Sequence, residues 1–222
     1  MAISHSVQDY LKTIYKLQNG HGASEPVNTT LLSETMGVAA ASVTSMFKKL
    51  AEMNLVSHTP YKGVALTDVG EKAALEVVRH HRLLERYLMD TLGYSWDEVD
   101  AEADRLEHAI SEEFEERIDR ALGYPTIDPH GDPIPTRDGN IKRFDTSRLS
   151  EVDVGQRVEI RHVSDHDPKM LRYMEDLGLV PSAIVEVRER APFNGPLLVV
   201  TPEGEHALGL EVARYIFVVD PE

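Results

Sequence analysis

The chain has 222 residues, 41% of them apolar, enough for one large or two to three small domains, and its lack of cysteine excludes disulfides, zinc–thiolate centres and thiol nucleophiles. No stretch approaches the roughly 20 apolar residues of a membrane span and no signal-peptide core opens the chain, so a cytoplasmic protein is expected. The formal charge of −15 argues against nucleic acid unless that charge is unevenly spread.

Val7, Tyr10, Leu11, Ile14 and Leu17 recur at helical spacing behind Ser6, a candidate N-cap, and Gly20 and Gly22 end that helix. Asn28-Thr29-Thr30 opens a short helix carrying Leu31, Leu32 and Met36, stopped by Gly37. Val38-Ala39-Ala40-Ala41-Ser42 leads into a third, with Val43, Met46, Phe47, Leu50 and Met53 on its apolar face. Two short helices about a glycine turn predict a helix-turn-helix. Residues 55–58 and 64–67 alternate as strands around Tyr61-Lys62-Gly63, a predicted β-hairpin wing.

A long helix is predicted from Leu66-Thr67-Asp68-Val69-Gly70 to about Leu92, before Gly93. Ser95-Trp96-Asp97-Glu98 reads as a capping box opening a helix to about Leu122, with Val99, Ala103, Leu106, Ile110, Phe114, Ile118 and Leu122 as its stripe. Residues 123–140, rich in Pro, Gly and Asp, predict a linker or an ordered irregular crossing. Short strands are predicted at 157–163, 183–189, 197–201, 206–210 and 215–219, with one helix at 167–177 among them, the spacing of a small barrel. The expected fold is therefore mainly α with a small β domain. Its parts are a winged helix-turn-helix over 1–72, a helical domain over 73–142 and the barrel over 143–222.

The charge is uneven. Up to Leu75, Lys12, Lys16, Lys48, Lys49, Lys62 and Lys72 are matched by Asp9, Glu25, Glu34, Glu52, Asp68 and Glu71, with no arginine, so the whole −15 falls downstream. A neutral N-terminal module can bind DNA if its lysines share a face, while the acidic remainder repels phosphate and can concentrate cations. Within that remainder Asp104, Glu107 and His108 lie three and four apart on a predicted helix and share a face. His81 and Glu85 do the same upstream. One imidazole with two carboxylates suits a divalent first-row metal, and the plainer alternative is an exposed polar helix face.

A winged helix-turn-helix, two long helices carrying these residues, a Pro-rich crossing and a small barrel, in this order, resemble the diphtheria toxin repressor family of metal-dependent transcriptional regulators. The resemblance spans essentially the full length. It is carried by Arg79-His80-His81-Arg82-Leu83-Leu84-Glu85, Asp104-Arg105-Leu106-Glu107-His108 and Pro129-His130-Gly131-Asp132-Pro133-Ile134-Pro135. Asp176-Leu177-Gly178-Leu179-Val180-Pro181 is similar to a turn that the family's SH3-like barrel shares with small iron-transport accessory proteins. The iron-responsive branch has methionine at the position of Asp9 and cysteine at that of Asp104. The manganese-responsive branch uses oxygen ligands there but often lacks the barrel, and it carries a glutamate where Lys12 stands.

The resemblance implies a principal metal site of Asp9, Asp104, Glu107 and His108, and an ancillary site of His81 and Glu85 with Asp100 and Asp167. For Asp167 and His166 an ordinary helix N-terminus is the alternative. The metal implied is Mn(II), with Fe(II) as the competitor and other divalent first-row ions in vitro. His80, about 100° round the helix from His81, is expected to face solvent, and His5, His21, His58, His162 and His206 are read as surface residues. Candidate DNA contacts are Ala41, Ser42, Ser45, Lys48 and Lys49 on the recognition helix, Thr29 and Thr30 at the start of the preceding helix, and Tyr61 and Lys62 on the wing. The expected partners are a double-stranded operator and a second copy of the chain, with Val99, Leu106, Ile110 and Phe114 in the dimer seam or the core beneath it. Metal drawing on Asp9 and on the second long helix would fix the reading heads of a dimer on DNA. An enzyme is disfavoured because no general base, phosphate-binding glycine loop or nucleophile arrangement accompanies the ligands. A metal-buffering protein leaves the winged helix unexplained.

Overall fold

The first helix begins ahead of its predicted cap. α1 runs His5–Gly20, and the Ser4 carbonyl accepts Val7 N at 2.8 Å and Gln8 N at 3.1 Å, so Ser6 lies inside the first turn. The structure, a computed structural model, describes residues 3–20, 26–59 and 62–221. They fall into two units, Met1–His80 with Pro135–Asn140, and His81–Ile134 with Ile141–Glu222.

In the first unit Asn28 caps α2 (Thr29–Met36), its side chain accepting Leu31 N at 2.9 Å, and left-handed Gly37 ends it. α3 (Ala40–Glu52) follows and packs on α2 and on β1 (Val56–Thr59), which pairs antiparallel with β2 (Gly63–Leu66). This is the expected winged helix-turn-helix. Leu11, Ile14, Leu32 and Leu50 are fully buried, each contributing about 1.5–3 kcal/mol by leaving water. The wing is held at both sides: Val27 and Val64 exchange backbone hydrogen bonds, and Gln18 on α1 accepts Leu66 N at 3.1 Å. Gly63 is obligatory there, since a Cβ would fall 2.1 Å from the Val27 oxygen.

α4 (Asp68–Leu92) matches the predicted long helix and passes from the first unit into the second. The predicted single helix from Ser95 to Leu122 is two. Ser95 and Glu98 form a capped turn, Ser95 N donating to Glu98 Oε2 at 3.3 Å, and α5 spans only Val99–Leu106. Ser111 then opens α6 (Glu112–Ala121), accepting Phe114 N at 3.2 Å with three glutamates in the first turn. Leu83, Leu84, Leu88, Val99, Ala103, Ile118 and Ile134 form the core of these helices. Val99 is thus core, whereas Phe114 is exposed together with Met89, Leu92 and Tyr94.

The Pro-rich crossing is ordered in its middle. Asp128 Oδ1 accepts His130 N at 2.9 Å and Asp132 N at 3.0 Å, and Ile134 N reaches Thr126 O. Beyond it lie β3 (Ser147–Arg148), a 3-10 turn at Leu149–Glu151, β4 (Arg157–Val163), α7 (Pro168–Asp176), β5 (Ile184–Arg190), β6 (Leu197–Thr201), β7 (Gly204–Leu208), α8 (Leu210–Ala213) and β8 (Ile216–Val219). The six strands pair antiparallel in the order β3-β8-β4-β5-β6-β7, around Ile160, Leu171, Met174, Val185, Val187, Leu197, Val199 and Leu208. β3 and α8 escape the sequence pattern because each is too short to show a period.

Candidate metal centre

His81 and Glu85 leave α4 one turn apart, while α5 carries Asp100 and Asp104 and ends at Glu107. The His81 imidazole sits among all four carboxylates. Its Nδ1 lies 2.6 Å from Glu107 Oε2 and 3.3 Å from Asp104 Oδ1, and its Nε2 lies 3.2 Å from Asp100 Oδ1 and 3.4 Å from Glu85 Oε1. His81, Glu85 and Glu107 are buried, whereas Asp104 is more than half exposed. Two groups of candidate ligands result, His81 with Glu85, Asp100 and Asp165, and His81 with Asp104 and Glu107. In each, one ligand atom per residue lies within 4.8 Å of the others. His108 follows in the turn after α5, its Nε2 3.5 Å from Glu107 Oε1. Asp9 is half-buried on α1.

The barrel residue in the first group is Asp165, not the expected Asp167. Asp167 is consumed as the N-cap of α7, its Oδ1 accepting Lys169 N at 2.8 Å and Met170 N at 3.4 Å. His80 is buried rather than solvent-facing, because α4 is covered around its whole circumference from Val77 to Glu85. His162, read as a surface residue, is half-buried and stacks on Phe217 at 4.3 Å.

A third group, Glu85 with Asp128 and His130, was not found from the sequence. His130 is buried, its Nε2 3.0 Å from the Trp96 carbonyl and its Nδ1 3.4 Å from Glu85 Oε1. Arg82 NH1 donates to Pro133 O at 2.6 Å, and its Nε lies 3.3 Å from Asp128 Oδ2. Burial works to raise the Glu85 pKa, but His81 and His130 outweigh it and hold the carboxyl well below the usual range. Burial likewise works to lower His130, but Glu85 beside it holds the imidazole up to about 9.

These groups fit a divalent cation. Both Glu85 oxygens are buried with no hydrogen bond of ordinary geometry, and only the 3.4 Å approaches of His81 and His130 accompany them, so the carboxylate keeps the capacity to take a cation. The donors are carboxylate oxygens and imidazole nitrogens, the set that suits manganese or iron rather than thiophilic ions.

On the winged helix, Ala41, Ser42, Ser45, Lys48 and Lys49 are exposed along α3, and Thr30 and Lys62 are exposed too. Thr29 is half-buried, and Tyr61 lies outside the described residues. Asn28, Thr29, Thr30, His58 and Gly63 line a recess of about 440 Å³ between the start of α2 and the wing. Asn28 and His58 were not among the DNA contacts read from sequence, which gave His58 only as a surface residue. Only the cap signal at Asn28 pointed there.

The family model for the N-terminal DNA-binding domain of iron-dependent repressors matches residues 2–64, that for the metal-binding and dimerisation domain matches 67–136, and that for the FeoA domain matches 147–220. The iron-dependent repressor IdeR of Mycobacterium tuberculosis is 31% identical, with 94% of each chain covered. The diphtheria toxin repressor of Corynebacterium glutamicum is 32% identical over 91% of this chain and 94% of its own. A solved manganese-dependent transcriptional repressor in complex with manganese is 41% identical, covers 97% of this chain and 100% of its own, and superposes with a TM-score of 0.89. With a DNA-binding module, a metal-binding dimerisation module and a FeoA barrel in register along its length, the chain belongs to the iron-dependent repressor family, that of the diphtheria toxin repressor.

Proposed function

We propose that this metal-dependent DNA-binding repressor is activated for operator binding by Mn(II) and governs genes of manganese or iron homeostasis. The observation that carries this reading is the buried His81 flanked on both nitrogens by carboxylates, with the two unbonded oxygens of Glu85 beside it. His81, Glu85, Asp100 and Asp165 would hold one ion, and Asp104, Glu107 and His108 would hold another, with Asp9 proposed as its further oxygen ligand. Asp167 is left out, being committed to its helix. Bound, the ion supplies positive charge to crowded carboxylates and favours whichever arrangement of the chain it binds more tightly. Glu107 has a second task, since its 2.6 Å contact to Nδ1 fixes the ring and leaves Nε2 toward Glu85 and Asp100.

The DNA-reading face proposed is α3, with Lys48 and Lys49 on phosphates and Ser42 and Ser45 toward the bases, helped by Thr29, Thr30 and Lys62. The exposed Met89 and Leu92 on α4, Tyr94 just beyond it and Phe114 on α6 support a homodimer, because apolar side chains of that size left in water suit a second copy. Among the described residues no helix is long and apolar enough to cross a membrane. We place the protein in the cytoplasm, with its operator, and read it as a regulator rather than an enzyme, as its family is. An Fe(II)-responsive repressor is the second reading, favoured by the FeoA barrel and the full-length match to IdeR.

Operator binding followed by fluorescence anisotropy, in chelator and in titrations of Mn(II) and anaerobic Fe(II), tests the proposal. Binding should require metal and should respond to Mn(II) in the wild type but not in Asp9→Ala or His81→Ala. Equal binding in chelator and in metal refutes it, and a protein that takes up Mn(II) but binds no operator is a buffer.

A further inference from the structure

We infer that the barrel is locked onto the α4–α5 body before any metal arrives, with Trp96 as the plug, so that Asp165 is presented to the ion and not recruited by it. The part that concerns Asp165 rests on the reading that this residue is a ligand. Trp96 is the only tryptophan of the chain and lies in the turn between α4 and α5, the helices that carry His81, Glu85 and Asp100. A turn between two helices ordinarily runs over the surface. Here its indole is 5% exposed and belongs to the apolar core of the barrel, whose other buried members all come from residues 149–218. The polar edge of the ring is satisfied as well, Nε1 donating to the Pro129 carbonyl of the crossing at 3.0 Å.

A second tie lies one residue on. Asp97 is buried, accepts the Ser95 hydroxyl at 2.8 Å and pairs with Arg172 on α7. The crossing meets β4 backbone to backbone at Gly131, whose φ is +92° and where a Cβ would fall 2.2 Å from the Arg161 oxygen. The compact unit follows these ties, joining His81–Ile134 with Ile141–Glu222. Pulling the barrel away would put the indole into water, leave a hole in the barrel core and part the Asp97–Arg172 pair. None of these contacts is made by a candidate ligand, so none waits for an ion. Asp165 follows the end of β4 by two residues and shares a group with His81, Glu85 and Asp100. A barrel docked in advance holds that carboxylate in place and spares the ion the entropy of gathering it.

Acrylamide quenching of the wild-type chain reads docking through its single tryptophan and needs no variant to fold. Quenching should be as weak in chelator as after titration with Cd(II), a diamagnetic stand-in for Mn(II), and should rise in urea only where circular dichroism is lost. A Trp96 open to acrylamide in chelator and shielded once Cd(II) is added would show docking driven by metal and overturn the inference. Exposure in urea ahead of the loss of secondary structure would overturn it too. Calorimetric titration with Mn(II) gives the second readout. Asp165→Ala should delete one class of site and so identify it. Trp96→Ala should weaken that class about tenfold, the loss expected when the barrel is docked one time in ten. Trp96→Phe, which still fills the barrel core, should restore most of it. Equal Mn(II) affinity in the wild type and Trp96→Ala would overturn the role of docking in presenting Asp165. If Asp165→Ala binds Mn(II) like the wild type, the ligand reading fails by itself, and quenching in chelator still decides whether the barrel is locked.

Discussion

Lys49→Ala isolates the electrostatic part of operator binding. Lys48, Lys49 and Lys62 are exposed on the helix-turn-helix and its wing, and no arginine stands in the first 75 residues to share their task. If each neutralises one phosphate in both copies of a dimer, about six condensed counterions are displaced, and log K falls against log salt with a slope of about −5.4. A fourfold rise in salt then costs the wild type on the order of 10³ in affinity. Removing Lys49 from both copies deletes two contacts, leaving a slope of about −3.6 and a loss on the order of 10² over the same range. The assay is anisotropy on a duplex selected from random sequence, at saturating Mn(II), across the salt range. Mn(II) affinity in the absence of DNA should be unchanged. A variant whose slope equals that of the wild type takes Lys49 off the phosphate backbone, leaving Lys48 and the serines as the contacts of α3.

Arg82→Met should cost about 1–3 kcal/mol in urea unfolding with chelator present, because Pro133 loses a buried donor, while Asp128, whose carboxyl burial and Glu85 push up to about 8, takes up a proton when the guanidinium goes. Asp128→Asn in that background should recover part of it, and a loss below about 1 kcal/mol would place the pair with ordinary surface ion pairs. Burial works to raise Asp97, but Ser95 and Arg172 outweigh it and hold the carboxyl below its ordinary 3.8. Its contribution is therefore full above that value and fades as pH falls through the lowered one. The stability gap between wild type and Arg172→Ala should be widest above about pH 4 and narrow toward pH 3, and a constant gap speaks against the linkage. Phe114→Glu should shift sedimentation toward monomer, and an undisturbed dimer would move the interface off α6.

Periodicity made much of this fold legible. The i, i+4 spacing of His81 and Glu85 brings them to 3.4 Å, and β4 and β6 span the residues their alternation predicts. The break between α5 and α6 was invisible to the same criterion, because Leu106, Ile110, Phe114 and Ile118 keep helical spacing across it. Ser111 followed by three glutamates was the signal that outweighs a continuous stripe. Asp165 and Asp167 could also have been sorted from sequence. Asp167 precedes Pro168, and a proline in the first turn behind an aspartate marks a cap, which commits Asp167 to the start of α7. His130 could not have been paired with Glu85 from spacing, since the two are 45 positions apart in the sequence and meet only through the crossing. His80 went wrong because the 100° argument assumes that one helix face sees water, and this stretch of α4 has no such face.

The uneven charge of the chain acquires a physical meaning from the site. Four carboxylates around one imidazole leave a negative surplus that His81 alone does not balance, and burial of Glu85 and Glu107 denies two of them the screening of water. A divalent ion is the efficient remedy, and an acidic half draws such ions toward it, while the neutral N-terminal segment avoids repelling phosphate. Mn(II) is the weakest binder of its series, so selectivity for it cannot come from affinity alone. Oxygen-rich ligation with no thiolate competitor in the chain reduces the advantage of copper and zinc without removing it. Discrimination must then rest on how rigidly the oxygens are held, since a fixed arrangement disfavours ions that prefer another coordination number. The bonds of the crossing loop to α4 and to β4 help to hold that arrangement, Arg82 donating to the Pro133 carbonyl and Val163 N to the His130 carbonyl.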